Sequence, residues 1–257
     1  MPESQISPFQ QVKIGSKDDP VPDGYRMVSL IELRELYGTW LNKDNLHMPM
    51  AQYLGMILDV VRTLTGYKGV HVCKMPNDLW IFQEIICARK PTVIVELGNQ
   101  AGGSTMFLRD ILLGGEIPDA RGVIGVDIEH GYLYDKAREY PGIKWVQGDA
   151  CEVFDEVASL IRPEDRVMVI EDTTHEYEHT LKVLNTYAPL VTKGQYLIVE
   201  DTLLGEFIPS GKPNDERPGA YLAVHKFLAG NQDFTIDRQR EKWFVTLNPE
   251  GYLERIR

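Results

Sequence analysis

Acidic residues follow two apolar runs in the second half of the chain, and their positions suggest a metal site. Asp172 lies in IEDTTHEYEH, and Glu200 and Asp201 lie in IVEDT. If the two runs are parallel strands, these carboxylates converge at one edge of a sheet, where they would repel one another without a cation. Hard oxygen ligands suit Mg²⁺, or the similar Mn²⁺ and Ca²⁺, better than zinc. We therefore expect Asp172, Glu200 and Asp201 to be metal ligands. The alternative is that Glu171 or Glu200 faces solvent and only one acid matters.

A histidine close to these acids is a candidate general base. His175 follows Asp172 within one helical turn. A metal ion lowers the pKa of a bound hydroxyl, and an adjacent imidazole can take up its proton near neutral pH. His179 lies one turn further along and competes for this role. We expect His175 to be the catalytic base.

A glycine-rich turn, ELGNQAGGS (96–104), stands between a predicted strand and a predicted helix. Gly98 and Gly102 would let the backbone approach a ligand, and the helix that follows offers N–H groups at its start. The spacing is not the GxGxxG of dinucleotide-binding folds, and Glu96 precedes the first glycine. An acid there suits a cationic ligand such as S-adenosylmethionine, which carries a sulfonium and an ammonium group. The alternative is a generic turn in which Ser104 caps the helix.

Two more carboxylates follow the next predicted strands. Asp127 ends GVIGVD, where an acid commonly binds ribose hydroxyls, and Asp149 in QGDA could meet the adenine amino group. Either carboxylate alone could merely cap a loop, but acids at successive strand ends line the edge where ligands bind. The predicted S-adenosylmethionine site comprises Glu96, Gly98, Gly102, Ser104, Asp127, Asp149 and Asp172. Methyl transfer is an in-line displacement, which requires positioning and an activated oxygen.

Alternating strands and helices must position these residues. Apolar runs predict strands at 92–97, 122–127, 143–149, 166–172, 195–201, 234–239 and 242–247, and helices at 103–113, near 151–161, and at 179–191 and 220–229. This alternation predicts parallel βαβ units. The last two strands are joined too tightly for a helical crossover, so one of them must run antiparallel. The predicted fold is α/β: a Rossmann-like methyltransferase with a mostly parallel seven-stranded sheet, one antiparallel strand and a helical N-terminal extension.

The N-terminal part precedes the strands and has a different pattern. Residues 1–24 are polar and proline-containing, and helical spacing begins at Ser29, again at about 48–65, and again from a cap at Asn77 or Asp78 to Arg89. We assign 1–69 to an arm and helices that form a lid or an oligomer contact. We assign 70–257 to an S-adenosylmethionine-dependent methyltransferase domain.

Composition excludes several classes of partner and compartment. The formal net charge is −11, which repels nucleic acid and anionic membranes. The chain has three cysteines, which is an odd number, and they form no CxxC motif. Both observations favour a reducing compartment. We find neither a signal peptide nor an apolar run of membrane-spanning length, so the expected location is the cytoplasm.

Together these motifs make the sequence resemble the cephalosporin hydroxylase/rhamnosyl O-methyltransferase family over residues 70–257. The resemblance rests on KMPNDLWIFQEII, PTVIVELGNQAGGS, VMVIEDTTHEYEHTLKVLNTYAPLVTKGQYLIVEDT, RPGAYLAVHKFL and REKWFVTLNPEGYL. It implies an S-adenosylmethionine- and Mg²⁺-dependent O-methyltransferase of secondary metabolism, such as antibiotic biosynthesis. The implied acceptor is a hydroxyl of a small-molecule natural product, with a sugar as one candidate, and the implied assembly is a homo-oligomer.

The resemblance also assigns roles to individual residues. It matches Asp172, Glu200 and Asp201 to the family's metal ligands and His175 to its proposed catalytic histidine. Its cofactor positions match Glu96, Gly98, Ser104, Asp127 and Asp149. Members often show DSDH where this chain has DTTH, so the middle acid is replaced by Thr174.

Three other functions compete with this interpretation. A metal-dependent hydroxylase of the non-haem iron type requires two histidines and one carboxylate, whereas the acids dominate here. A nicotinamide-dependent dehydrogenase requires the missing GxGxxG. A non-catalytic S-adenosylmethionine-binding partner would be favoured by loss of the metal acids, which are present. The Gly- and Pro-containing loop 205–219 would either close over the substrate or form a plain surface excursion.

Overall fold

The computed structural model describes residues 50–204 and 219–257. The chain divides into two compact units, Met1–Lys74 and Met75–Arg257. The predicted arm at 1–24, the helix from Ser29 and the loop 205–219, except its last residue, lie outside the described residues. None of the described helices is both long and apolar enough to cross a bilayer. The roles assigned to 1–69 and 70–257 remain predictions.

The described part of the first unit is a helix followed by a hairpin. Helix α1 (Met50–Leu64) confirms the helix predicted at 48–65. Strands β1 (Gly66–Tyr67) and β2 (Val70–His71) then pair antiparallel. The residues that join them, Lys68 and Gly69, both have positive φ, at 50° and 83°. Two left-handed residues give the turn whose twist matches that of the paired strands.

The second unit is built on a seven-stranded sheet, as predicted. Its strands are β3 (Val93–Leu97), β4 (Gly122–Asp127), β5 (Ile143–Gln147), β6 (Val167–Glu171), β7 (Tyr196–Val199), β8 (Phe234–Ile236) and β9 (Tyr252–Arg255), in the order β5-β4-β3-β6-β7-β9-β8. Strands β3 to β7 all run parallel to one another, and β9 is antiparallel to both of its neighbours, β7 and β8. The sheet is therefore mostly parallel with one antiparallel strand, which confirms the predicted fold class.

Helices cover both faces of the sheet. They are α2 (Pro76–Arg89), α3 (Gly103–Gly114), α4 (Asp135–Arg138), α5 (Phe154–Ser159), α6 (Tyr177–Tyr187) and α7 (Ala220–Gly230), with short 3₁₀ turns at Ala188–Leu190 and Arg238–Glu241. Ile94 of β3 packs in a core with residues of α2 and α3, whereas Val95 and Leu97 pack in a second core with residues of α6 and α7. Burial on both faces explains the nearly continuous apolar runs of the central strands.

The predicted strand at 242–247 is wrong. Residues Trp243 and Phe244 are 49% and 96% exposed, and Phe244 has a φ of 61°, which a strand residue does not adopt. The last strand lies later in the chain, at β9. There Tyr252 and Leu253 are buried between β7 and β8, so the antiparallel strand is second from the edge of the sheet.

The start of α2 also differs from its prediction. Met75 occupies the N-cap position and Pro76 begins the helix, where a proline without an N–H is well tolerated. Asp78 therefore lies inside the first turn. Its side chain is buried and accepts hydrogen bonds from a distant part of the chain instead of capping the helix.

Candidate cofactor and metal site

The carboxyl ends of the five parallel strands bring the predicted site residues to one edge of the sheet. Register pairs Leu97 with Glu171 and Glu171 with Val199, so the segments after β3, β6 and β7 begin side by side. Backbone hydrogen bonds tie these segments together: the Asp172 N–H donates to the Leu97 carbonyl (2.8 Å), and the Glu200 N–H donates to the Glu171 carbonyl (2.9 Å). Parallel topology thus creates the edge at which ligands of such folds bind.

The turn after β3 has the features of a ligand cradle. Glu96 is completely buried, and its Oε2 accepts a hydrogen bond from the Thr105 hydroxyl of α3. Gly102, with a φ of 84°, is the N-cap of α3, and a Cβ there would lie 2.6 Å from the Leu133 side chain. Ser104 lies in the first helical turn and is buried, at 6% exposure. The turn therefore holds a buried carboxylate next to the start of a helix.

Gly98 permits the closest backbone approach in this turn. Its φ is 90°, and a Cβ at this position would lie 1.9 Å from the backbone oxygen of Asp172. Its own N–H donates to the Val126 carbonyl at 2.7 Å. Only glycine fits here, because any side chain would push the β3 turn away from the segment that carries Asp172.

We expect Gly98→Ala to destabilise the fold far more than a glycine replacement without a clash. Gly194 is the matched control: its φ is 83°, and a Cβ added there would meet no atom within 4 Å. Gly194→Ala should lower the free energy of unfolding by about 1 kcal/mol, the cost of a left-handed alanine. Gly98→Ala should lose about 2 kcal/mol more through the backbone clash. Urea unfolding measures both, and equal losses would contradict the close approach.

The acids after β4 and β5 each shape a turn. The Asp127 Oδ2 accepts a hydrogen bond from the Gln100 N–H at 2.7 Å, which links the β4 end to the glycine turn. The Asp149 Oδ1 accepts from the Cys151 N–H at 2.8 Å. Both carboxylates are partly exposed at the sheet edge. Each therefore caps a loop and still presents oxygen to the predicted cofactor site.

Among the described residues, one group of three side chains could hold a metal ion. We call Asp172, His175 and Asp201 the acid–histidine group; one ligand atom from each lies within 4.8 Å of the others, and all three are partly buried. The His175 Nε2 lies 3.7 Å from an Asp172 oxygen and 3.5 Å from an Asp201 oxygen. The two carboxylates fit a hard divalent cation such as Mg²⁺ or Mn²⁺, whereas an imidazole is a more usual ligand of zinc, copper, iron or nickel.

Two members of the acid–histidine group have unusual backbone conformations. His175 has a φ of 58° and Asp201 a φ of 55°, and neither is glycine. A left-handed conformation costs about 1–2 kcal/mol for such residues, so surrounding contacts must hold it. Strain of this kind is concentrated at functional sites, and here it directs both side chains to the same place.

The structure does not bring Glu200 into the acid–histidine group. Glu200 is 4% exposed and directly precedes Asp201, but the ligand atoms that lie together come from Asp172, His175 and Asp201. Its role as a metal ligand remains a prediction. His179 lies apart as well: its Nδ1 is 4.0 Å from the Asp149 carboxylate, so His175 is the histidine beside the two acids.

Glu171 is a further acid at this edge of the sheet, which was not predicted as a site residue. This residue is completely buried, so the alternative in which it faces solvent is wrong. One carboxylate oxygen accepts hydrogen bonds from the Thr173 N–H and hydroxyl, and its Oε2 has no hydrogen-bond partner among the described residues. Burial raises the pKa of Glu171, an effect that nearby His175 opposes. The signal in the sequence was its place as the last residue of an otherwise apolar strand.

Known proteins resemble this chain in sequence and in fold. The family model described as Rhamnosyl O-methyltransferase/CmcI matches residues 60–256. A rhamnosyl O-methyltransferase of Mycobacterium tuberculosis is 29% identical over 204 residues, which cover 77% of this chain and 80% of the relative. A solved structure of CmcI with Mg and SAM superposes with a TM-score of 0.58 at 23% identity, covering 75% of this chain and 77% of CmcI. An apo CmcI structure gives 0.60 at 21%, covering 85% and 89%.

Proposed function

The chain belongs to the rhamnosyl O-methyltransferase/CmcI family, and we propose that it transfers the methyl group of S-adenosylmethionine to an oxygen of a small-molecule acceptor with the help of Mg²⁺. The observation that carries this proposal is that Asp172 belongs to both parts of the site. Its backbone packs against Gly98 of the glycine turn, and its carboxylate belongs to the acid–histidine group. A methyl donor bound at the glycine turn and an acceptor oxygen bound at the acid–histidine group would therefore be neighbours.

The glycine turn and the strand-end acids would hold S-adenosylmethionine. The buried Glu96 carboxylate offers negative charge at the turn, and the start of α3 offers N–H groups to the carboxylate of the ligand. Asp127 would bind the ribose hydroxyls, as an acid at this strand end commonly does, and Asp149 would meet the adenine amino group. Gly102 and Ser104 would line the same turn. The relative of known structure that is described with Mg and SAM supports this choice of ligand.

The acid–histidine group would hold the cation and manage the proton of the acceptor. Mg²⁺, or Mn²⁺ in its place, would make the hydroxyl of the acceptor more acidic. Asp172 and Asp201 supply carboxylate oxygens, with Glu200 as a further candidate ligand. His175 takes the proton from the acceptor at Nε2, and the two carboxylates within 3.7 Å stabilise the imidazolium that results. Methyl transfer then requires only that the methyl group of the donor and the oxygen of the acceptor are aligned.

The family supports a proposal for the acceptor and for the metabolic role of the protein. Rhamnosyl O-methyltransferases act, by their name, on a sugar, which supports a hydroxyl of a natural product, with a sugar moiety as one candidate, and a role in secondary metabolism such as antibiotic biosynthesis. We further propose that the protein is a homo-oligomer in the cytoplasm. Residues 1–69 would form the lid or oligomer contact. Loop 205–219 would cover the acceptor, since Gly219 pairs with Glu176, directly after His175.

A competing hydroxylase function lacks support in the site. The non-haem iron site has two histidines and one carboxylate, whereas the acid–histidine group has one histidine and two carboxylates. A non-catalytic partner protein would bind S-adenosylmethionine without turning over any hydroxyl acceptor. Acceptor screening with hydroxylated metabolites therefore separates that alternative from the enzyme.

Isothermal titration with S-adenosylmethionine and with NAD⁺, each with and without Mg²⁺, tests the cofactor. We expect S-adenosylmethionine to bind with a micromolar dissociation constant and NAD⁺ not to bind. Asp127→Ala should weaken that binding by about 10-fold or more, because hydrogen bonds to a charged group contribute about 1.5–3 kcal/mol. Asp155→Ala, which removes an exposed acid of α5, is the matched control and should bind normally. Binding of NAD⁺, or of neither ligand, would refute the proposal.

A further inference from the structure

A buried carboxylate outside the proposed site anchors a hydrogen-bond network. Asp78 of α2 is 2% exposed. Its Oδ1 accepts hydrogen bonds from the Thr246 and Tyr252 hydroxyls, and its Oδ2 accepts from the Leu247 N–H at 3.0 Å. Burying a carboxylate is costly unless its oxygens are hydrogen-bonded, and here three neutral donors serve that purpose.

The ionisation states define the direction of these hydrogen bonds. The pKa of Asp78 is raised to about 6, mainly by burial and to a smaller extent by the nearby Asp201 carboxylate, against the opposing effect of the hydrogen bonds from Thr246, Leu247 and Tyr252. Burial also holds the pKa of Tyr252 well above its ordinary value. At pH 8, therefore, Asp78 is an acceptor only and Tyr252 remains a donor to it.

The network continues from Asp78 to the backbone of Asp201. The Asn248 amide lies 3.5 Å from the Tyr252 hydroxyl, and the Asn248 N–H donates to the Thr246 hydroxyl at 3.0 Å. The Asn248 Oδ1 then accepts from the Asp201 N–H at 2.9 Å. Asn248 is completely buried, so its amide orientation is fixed by these partners.

Two further hydrogen bonds join the same segments beyond Asp201. The Leu203 N–H donates to the Leu247 carbonyl at 3.0 Å, and the Thr202 hydroxyl donates to the Pro249 carbonyl at 2.7 Å. The segment 246–249 is thus attached to α2 on one side and to 201–203 on the other. This double attachment accounts for how Asp201 is held in its left-handed conformation, with a φ of 55°.

We propose that Asp78 is a positioning residue for the metal site: through Thr246, Asn248 and Tyr252 it fixes the segment that holds Asp201 against Asp172 and His175. The inference rests on the proposed function, because it assumes that the acid–histidine group binds a cation. It assigns no chemistry to Asp78 itself. Residues that hold metal ligands through hydrogen bonds act by orienting those ligands. The loss of such a holding residue typically lowers metal affinity about 10–100-fold.

Asp78→Asn tests this role with almost no change in volume. If the asparagine NH₂ faces the Leu247 N–H, two donors meet; if it faces the Thr246 and Tyr252 hydroxyls, those hydroxyls must accept instead of donate, and their protons lose the carboxylate acceptor. The segment 246–249 should shift and loosen Asp201. We expect the dissociation constant of Mn²⁺, followed by electron paramagnetic resonance at pH 8, to rise about 10-fold or more. The dissociation constant of S-adenosylmethionine without cation should remain within about 2-fold, because the glycine turn is untouched.

Asp165→Asn is the matched control. Asp165 is also a buried carboxylate, and it accepts hydrogen bonds from the Thr92 hydroxyl (2.9 Å) and the Arg162 N–H (2.7 Å) and pairs with Arg121. It lies at the opposite, amino end of the sheet. This variant should lower stability and leave Mn²⁺ affinity unchanged. Tyr252→Phe is a milder second variant, which removes only the hydroxyl between Asp78 and Asn248 and should weaken Mn²⁺ binding in the same direction.

The outcomes separate this inference from the proposed function. If the unaltered protein binds no Mn²⁺, the proposed metal site itself fails. If it binds Mn²⁺ and both Asp78→Asn and Tyr252→Phe bind equally well, only the positioning role is overturned. A loss of affinity that is equal in Asp78→Asn and Asp165→Asn would also overturn it, because the effect would then follow general stability. Weaker binding in the Asp78 and Tyr252 variants alone supports it.

Discussion

Asp201→Ala is expected to reduce O-methyl transfer by about 10³-fold or more, because metal-ion catalysis contributes several kcal/mol of transition-state stabilisation. Asp201 lies 3.5 Å from His175 and shares its group with Asp172, so its removal takes away one of two carboxylates available to the cation. Asp172→Ala should have an effect of the same size. Turnover of an acceptor at saturating S-adenosylmethionine, across a Mg²⁺ titration, measures both.

The control for this experiment is an acid of the same type away from the sheet edge. Asp233→Ala removes a carboxylate that is 46% exposed and lies 3.8 Å from Arg255, and it should leave turnover unchanged. Circular dichroism should show all three variants folded. Unchanged activity in both Asp172→Ala and Asp201→Ala would refute the metal site.

Glu200→Gln in the same assay addresses a difference between sequence and structure. The sequence predicts Glu200 as a third metal ligand, whereas the acid–histidine group is complete without it. A loss as large as that of Asp201→Ala would establish Glu200 as a ligand. A small loss would leave Asp172 and Asp201 as the carboxylates that matter.

The sheet and the strand-end acids could be predicted because they depend on local pattern. Strands buried on both faces, such as β3 and β6, require continuous apolar runs, which are visible in the sequence. Parallel connections then bring whatever follows each run to one edge, so Asp127 and Asp172 could be assigned to the same edge of the sheet without coordinates.

The parts that could not be predicted depend on contacts between distant segments. The run KWFVTL has strand-like composition, yet it contains the exposed, left-handed Phe244, and the true last strand was recognisable only by its pairing with β7. Asp78 resembled a helix cap, because nothing local indicates a partner such as Leu247, which is 169 residues away. The left-handed Asp201 likewise has a distant partner, because its N–H donates to the side chain of Asn248, 47 residues away.

His175→Ala is expected to lower the rate constant of methyl transfer by about 10²–10⁴-fold, the usual contribution of general base catalysis. The acid–histidine group allows two roles for this residue, since its Nε2 is close enough to both carboxylates to be either a base or a metal ligand. A base can be lost without loss of the cation. We therefore expect His175→Ala to retain its Mn²⁺ affinity while its rate falls.

The pH dependence of the rate provides an independent readout of the same role. A base must be neutral to accept a proton, so activity of the unaltered protein should fall on the acidic side as the imidazole becomes protonated. In His175→Ala the contribution of the imidazole to this acidic limb should disappear. His225→Ala is the matched control: His225 is a 44% exposed histidine that pairs with Glu250 at 3.0 Å, and its loss should alter neither the rate nor the profile.

The combination of results decides among three roles for His175. Weakened Mn²⁺ binding together with the lower rate would make it a metal ligand. Full activity of His175→Ala would exclude both roles and return His179, which lies beside Asp149, as the remaining candidate. Retained Mn²⁺ binding with a slow rate that has lost the contribution of the imidazole to the acidic limb would identify it as the base. The left-handed backbone at His175 would then serve to present one imidazole nitrogen to the acceptor oxygen, between the two carboxylates.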